Sequence, residues 1–241
     1  MDSTDKKSTK FGYILGASIV LASLIFSFAF FQSKKLDDTL TVTGSAKQKV
    51  ASDLVKWNAS FSYTVPSGNL SDGYVRMAQD EKKVLAFLKS KGVVEKDITT
   101  SPITVNQPYQ YDRNAAREDI FSEGIQIQSD NIKKITELAK NITPILNQDV
   151  TFSTNSLEYY YTKLPQARID LLADAIRDAK LRAQKIAESS GQAIGNITTA
   201  SLGVIQVMPV NSVDVADYGL YDTTSIDKDV MVTVKATFRI E

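Results

Sequence analysis

The chain has 241 residues, no histidine and no cysteine, and its 28 basic side chains balance its 28 acidic ones. The two zeros exclude Ser-His-Asp and Cys-His nucleophile systems, thiolate chemistry, disulfides and zinc sites of the usual His/Cys kind, leaving carboxylate, lysine, serine–lysine or tyrosine chemistry, or none. Zero formal charge offers no general basic field to draw nucleic acid, and the length suffices for one large or two small cores.

In chain order, residues 1–10 are polar and carry Lys6, Lys7 and Lys10. Phe11 to Phe31 then runs without a charge, and at about 1.5 Å per residue a helix of that length reaches roughly 31 Å, the thickness of bilayer hydrocarbon. The lysines ahead of it argue for a cytoplasmic N-terminus, although Lys34 and Lys35 behind it weaken the bias. Ser27-Phe28-Ala29 has the small-residue spacing of a cleaved secretory signal. The apolar run nevertheless exceeds the core of roughly 7–15 residues such signals use, which favours an uncleaved anchor. Either way the rest is exported. The expected organisation is a cytoplasmic tail over 1–10, a transmembrane anchor over 11–31, a linker over 32–39 and an extracytoplasmic domain over 40–241, with about 97–163 as a candidate subdomain.

A first strand is expected over Leu40–Ser45, with Gly44 permitting a bend or bulge. Val55, Trp57, Ala59, Phe61, Tyr63 and Val65 alternate with mostly polar neighbours, the period of a strand with one buried face. Leu70–Lys91 changes to helical spacing and stops at Gly92. Val93–Gln110 should hold a strand with Ile103 and Val105 inward. Tyr109–Asn114 reads as a hairpin loop and Phe121–Ile127 as the returning strand. Asp130 is placed to cap a helix striped by Ile132, Ile135, Leu138, Ala139 and Ile142, which Pro144 disrupts. Val150–Thr162 looks extended, with Leu157, Tyr159 and Tyr161 on one face.

The longest helical pattern of the soluble part is Pro165–Gly191. Leu172, Ala175, Ile176, Ala179, Ala183, Ile186 and Ala187 form its stripe, and the alanines at every fourth place make a low ridge for close approach. Pro165 suits the first turn and Gly191 the left-handed residue that closes a helix. Strands over Ile197–Met208 and Val230–Ile240 finish the chain, separated by a long polar loop, Pro209–Lys228. The sum is an α+β fold of about seven strands and three helices in layers.

The order TVTGSAKQKVASDLVKW, then KGVVEKDITT leading into PYQY, and above all ARIDLLADAIRDAKLRAQKIAESSGQAIGNI, resembles the SIMPL family, formerly DUF541, over about Leu40 to Glu241. Ser52, before Asp53, departs from the proline many members carry there. With the anchor, TGSAK…SDLVKW looks like a membrane-tethered subgroup. The resemblance implies an α+β domain exposed in the periplasm, ring-like homo-oligomers in some bacterial relatives, links to oxidative or envelope stress, and no accepted enzyme activity; the apolar run over 11–31 adds the expectation of a single-pass anchor in the inner membrane.

Three groups of residues are candidates for chemistry. Asp214, Asp217, Asp222, Asp227 and Asp229 have the oxygen ligands calcium uses but lack the Asp-x-Asp-x-Asp-Gly order, so they read as a solvated loop. Tyr159-Tyr160-Tyr161 offers stacking surface for a sugar or peptide, against the plainer reading of a strand that buries one face and shields the other. Glu118, Asp119 and Glu123 beside Arg117 have the types of a hydrolytic carboxylate pair, yet in a hairpin they read as solvated charge. The expectation is therefore no catalytic residues, no metal and no cofactor, in a self-associating envelope protein. The alternative is a module that recognises an envelope component through the Tyr109–Asn114 and Pro209–Lys228 loops.

Overall fold

The structure is a computed structural model describing residues 4–35, 38–109, 117–213 and 216–241. The element order is α1 (Thr4–Lys35), β1 (Thr39–Ala51), β2 (Leu54–Pro66), α2 (Leu70–Ser90), a 3-10 turn (Glu95–Asp97), β3 (Ile98–Thr100), β4 (Thr104–Asn106), β5 (Glu118–Ser129), α3 (Ile132–Lys140), α4 (Thr143–Leu146), β6 (Thr151–Tyr160), α5 (Leu164–Ser189), β7 (Ile194–Pro209), β8 (Leu220–Tyr221) and β9 (Asp227–Ile240). This is the expected α+β class; among the described residues there are nine strands where about seven were expected and, besides the apolar N-terminal helix α1, four α-helices where three were. Within α1, Gly12–Gln32 is long and apolar enough to cross a membrane and none of it is buried, as suits a single-pass anchor or a signal sequence.

Two sheets carry the strands, one in the order β1-β9-β7-β8 and one in the order β3-β5-β2-β6, with β4 also on β5. The residues fall into two compact units, Met1–Ala46 with Leu171–Gly203 and Val232–Glu241, and Lys47–Asp170 with Val204–Met231.

The second unit is filled by bulk. The alternation in β2 turns Val55, Trp57, Ala59, Phe61 and Val65 inward. Antiparallel pairing sets Trp57 opposite Ile127 and Ala59 opposite Ile125 of β5, and Trp57 meets Phe152 of β6 edge-on at 5.9 Å. Met77, Val84, Phe87 and Leu88 of α2, Ile135 and Leu138 of α3 and Ile145 of α4 complete this cluster. Each large apolar side chain removed from water here contributes about 1.5–3 kcal/mol.

Small residues fill the first unit instead. From Leu171 onward α5 buries Ala175, Ala179, Ala183 and Ala187, and the first three pack with Val42 of β1 and Val234, Ala236 and Phe238 of β9. Ile186, expected in the stripe, is 49% exposed; the buried row is the alanines at every fourth place, with Leu172 and Ile176 half-buried beside it. Gly44 lies inside β1 and serves a close approach. A Cβ there would lie 2.2 Å from the Ala175 carbonyl oxygen and 2.3 Å from the Ala179 nitrogen, so glycine is what lets strand and helix meet. Both marked helix ends hold: Pro165 is the second residue of α5, and Gly191 has φ +74° with the Gln192 N–H donating to the Ala187 carbonyl at 2.9 Å. Asp174–Arg177 and Asp178–Arg182 pair on the surface, and Asp178 also accepts from the Ser45 N–H at 2.8 Å.

Other local expectations are corrected. The cap of α3 is Asn131, which accepts from the Lys134 N–H, not Asp130. The Val93–Gln110 strand is two three-residue strands, β3 and β4; Ile103 is half-buried but Val105 faces solvent at 37% exposure. Pro144 opens α4 rather than breaking α3, which has already ended. Tyr161 falls just past β6, leaving Tyr159 as its buried tyrosine. Residues 110–116, most of the expected hairpin loop, lie outside the described residues. Both the backbone N–H and the hydroxyl of Ser52 donate to the Ile226 carbonyl at 2.9 Å, and the N–H bond is one a proline at this position could not make.

Candidate functional site

The helices of the second unit cover one face of its sheet, and the other face is lined by short polar side chains at the alternate positions of the same strands. Its centre is Asn58 of β2, opposite Gln126 of β5 and Ser156 of β6. Gln126 Nε2 donates to Asn58 Oδ1 at 2.8 Å. Asn58 Nδ2 donates to Ser156 Oγ at 2.9 Å and Glu158 Oε1 at 3.0 Å. Ser156 also donates to Glu158 Oε1, and Tyr160 Oη donates to Glu158 Oε2 at 2.6 Å. Tyr160 stacks on Tyr221 with centroids 6.0 Å apart, and the Lys56 ammonium sits 5.1 Å over the Tyr160 ring. Every link holds the next in one rotamer, so the face is preorganised. The bonds from Tyr160 and Ser156 hold the Glu158 carboxyl below its ordinary range, and the same Glu158 bond pushes the Tyr160 phenol up to about 12.

An irregularity in register aims one more group onto this face. Pairing between β2 and β6 slips at Asn58/Ala59, skipping Asn155, and such a bulge redirects a side chain. Asn155 Oδ1 accepts from Ser60 Oγ at 3.2 Å. Beside it opens a shallow cleft of about 330 Å³, lined by Gly124 together with Asn58, Gln126, Asn155, Thr99, Thr100 and Ser101. Ser101 Oγ accepts from the Gly124 N–H at 2.9 Å. No lining side chain of the cleft is charged. It can exchange neutral hydrogen bonds, as donor and acceptor both, with a ligand that carries many hydroxyl or amide groups.

Sequence reasoning missed this cleft, because isolated Asn, Gln, Ser and Thr in strands look like ordinary solvated positions and only the sheet register brings them together. Of the tyrosine run, Tyr159 is buried with its hydroxyl on Thr136 at 3.0 Å, and Tyr160 belongs to the polar network. The strand therefore buries one tyrosine and turns the next outward.

The carboxylates of β5 overturn the expectation of solvated charge. Glu118 is exposed, but Asp119 is 1% and Glu123 5% exposed, since both share the inward face of β5 with Phe121 and Ile125. Asp119 accepts from Ser67 Oγ and the Gly68 N–H, each at 3.2 Å. Glu123 Oε2 is buried without a hydrogen-bond partner. Burial first, and the neighbouring Glu81 charge second, push its carboxyl up to about 7.

The acidic loop is taken apart by separate partners. Asp222 accepts from Thr224, Ser225 and the fully buried Lys228; burial opposes its ionisation, and these bonds outweigh it and hold the carboxyl far below its ordinary range. Lys228 Nζ also donates to the Asp222 and Ser225 carbonyls at 2.5 and 2.6 Å. Asp229 pairs with Lys47 at 2.8 Å and accepts from the Asn211 N–H, leaving Oδ1 buried without a partner. Asp217 and Asp227 are exposed, and Asp214 lies outside the described residues. Among the described residues no group of three or more acidic side chains converges as a metal site would. The described parts of Pro209–Lys228 are accordingly pinned rather than loose, with β8 pairing parallel to β7 at Gln206 and Val207.

The SIMPL family, described as a protein of unknown function (DUF541), matches residues 40–238. The chain belongs to the SIMPL family. No curated protein matches it. The match spans both compact units and stops short of α1, so the apolar helix is an addition to the SIMPL part of the chain. Membership suggests a binding-type module outside the cytoplasm rather than a catalyst.

Proposed function

We propose that this SIMPL protein is a non-catalytic binding module held outside the cytoplasmic membrane by α1, and that the cleft over Gly124 receives a neutral, multiply hydroxylated ligand such as an envelope glycan. In this reading 1–10 is a cytoplasmic tail, 11–31 an uncleaved anchor of the inner membrane, 32–39 a linker and 40–241 the extracytoplasmic part. The observation that carries the ligand class is the lining of three amides and three hydroxyls with no charge. A charged substrate would need a counter-charge to offset its desolvation, whereas a polyol needs the mixed donors and acceptors found here.

Anchoring also confines copies to a plane and raises their effective concentration, which favours weak lateral contacts. We therefore read the module as self-associating. A role in envelope or oxidative stress defence is supported by the family resemblance alone.

The ligand reading is tested by titrating the full-length protein in lipid nanodiscs with neutral oligosaccharides released from bacterial envelopes, followed by calorimetry. Saturable binding is expected, and Gln126→Ala, which removes one exposed amide, should weaken it about tenfold, the loss of roughly one hydrogen bond. Absence of saturation with every neutral fraction would overturn this reading.

A further inference from the structure

A sheet edge presents unpaired N–H and C=O groups, and natural proteins blunt it with charge, proline, a bulge or brevity. The edges in this chain can be compared on that basis. β3 and β4 are three residues each. β1 carries Lys47 and Lys49, and β6 carries Glu158. β7 has none of these protections over most of its length. It is 16 residues long, flanked by β9 on one side and, among the described residues, paired on the other only with β8 at Gln206 and Val207. From Asn196 to Val204 every residue is exposed, and no charged residue occurs between Glu188 and Asp214. Side chains of both faces stand in water, Ile197 at 44% and Leu202 at 49% exposure.

We propose that this edge is where a second copy of the chain docks, β7 against β7 in antiparallel register about a two-fold axis. The inference rests on the reading that the module self-associates, and it names the strand. Two observations choose a second copy over an unrelated strand. A two-fold pairing sets each residue against a residue of the same segment, so a charged strand would bring like charges together, and β7 between 196 and 204 has no charge to oppose its own image. Asn196, Thr198, Thr199 and Ser201 further supply neutral pairs able to hydrogen-bond across the seam. Anchored copies, moreover, already share a plane, which lets a contact of one strand's length suffice where free diffusion would require a larger interface. Pairing would satisfy the open backbone groups and cover Ile197 and Leu202 together.

The absence of cysteine makes the test clean. Single variants Asn196→Cys through Gly203→Cys in the full-length protein in detergent are oxidised and run without reductant. In antiparallel pairing the residue at the axis faces its own copy within disulfide range, and separation then grows by two residue rises per step. A single sharp maximum of cross-linking is expected, with yield at least about tenfold lower two residues away. In parallel, Thr199→Lys/Ser201→Lys should shift the mass seen by sedimentation to monomer while circular dichroism and the melting curve stay as in the parent. If the parent sediments as a monomer at high concentration, the self-association reading itself fails. If it is oligomeric, yet no cysteine between 196 and 203 cross-links, the β7 seam is wrong and self-association stands. Should the lysine variant misfold, the cross-linking maximum decides alone.

Discussion

The two compact units solve one packing problem in opposite ways. In the second, a sheet meets its helices through Trp57, Phe61, Phe121, Met77 and Leu88, all essentially fully buried. In the first, α5 meets β1 and β9 through alanines and a glycine. Bulky cores draw stability from apolar area, and small-residue contacts draw it from many close dispersion contacts with little side-chain entropy to lose. The difference teaches that tolerance should be inverted between them: one fails when volume is removed, the other when volume is added.

The largest effect expected follows from emptying the bulky core. Phe61→Ala should lower unfolding free energy by about 3–5 kcal/mol in urea titrations, and a loss under about 1 kcal/mol would mean that this core collapses around the gap. Next comes filling the small-residue contact. Ala179→Leu should cost about 1–3 kcal/mol or more, whereas Ala→Leu at an exposed helical position is close to neutral. If Ala179→Leu proves neutral, α5 is not held against the strands as tightly as the Gly44 geometry requires, and the contrast between units breaks.

The smallest effect is a pH dependence confined to the second unit. Glu123 has its native pKa raised from 4.5 to about 7, so the native state holds this proton where the unfolded chain has released it. Stability from this group is full below about 4.5, declines as pH rises toward 7, and stays low above it. Glu123→Gln should remove that decline, gaining about 1–2 kcal/mol relative to the parent at pH 8 and nothing at pH 4. Melting curves of both proteins across this range check the sign, and a loss in the variant at pH 8 instead would show that Glu123 is ionised and paired in the folded protein.

Much of the fold was readable locally. The alternation Val55 to Val65 places one face inward whatever the strand pairs with. Pro165 and Gly191 mark helix ends through backbone constraints of their own, and the uncharged run from Phe11 to Phe31 needs no neighbour to be recognised. The α3 cap was misplaced by one residue because Asp130 and Asn131 are both good caps and only the local backbone path chooses between them.

The candidate site was not readable in this way. Asn58, Gln126 and Asn155 are distant in sequence and meet only through antiparallel register and a bulge, and Thr99 joins them through the short strand β3. Glu123 looks like a solvated charge until the parity of β5 turns it toward Phe121 and Ile125. Ile197–Met208 reads correctly as a strand, yet whether its far edge is paired depends on which strands lie beside it.

What the amino-acid order determined by itself, then, was the membrane-length apolar helix, the elements with strong period, and the loss of imidazole and thiol chemistry, because each depends on residues within a few turns or on composition alone. Only the tertiary structure decided the neutral cleft, the burial of Glu123 and the open edge of β7. These depend on the pairing of distant strands, where a shift of one residue would turn every side chain to the opposite face.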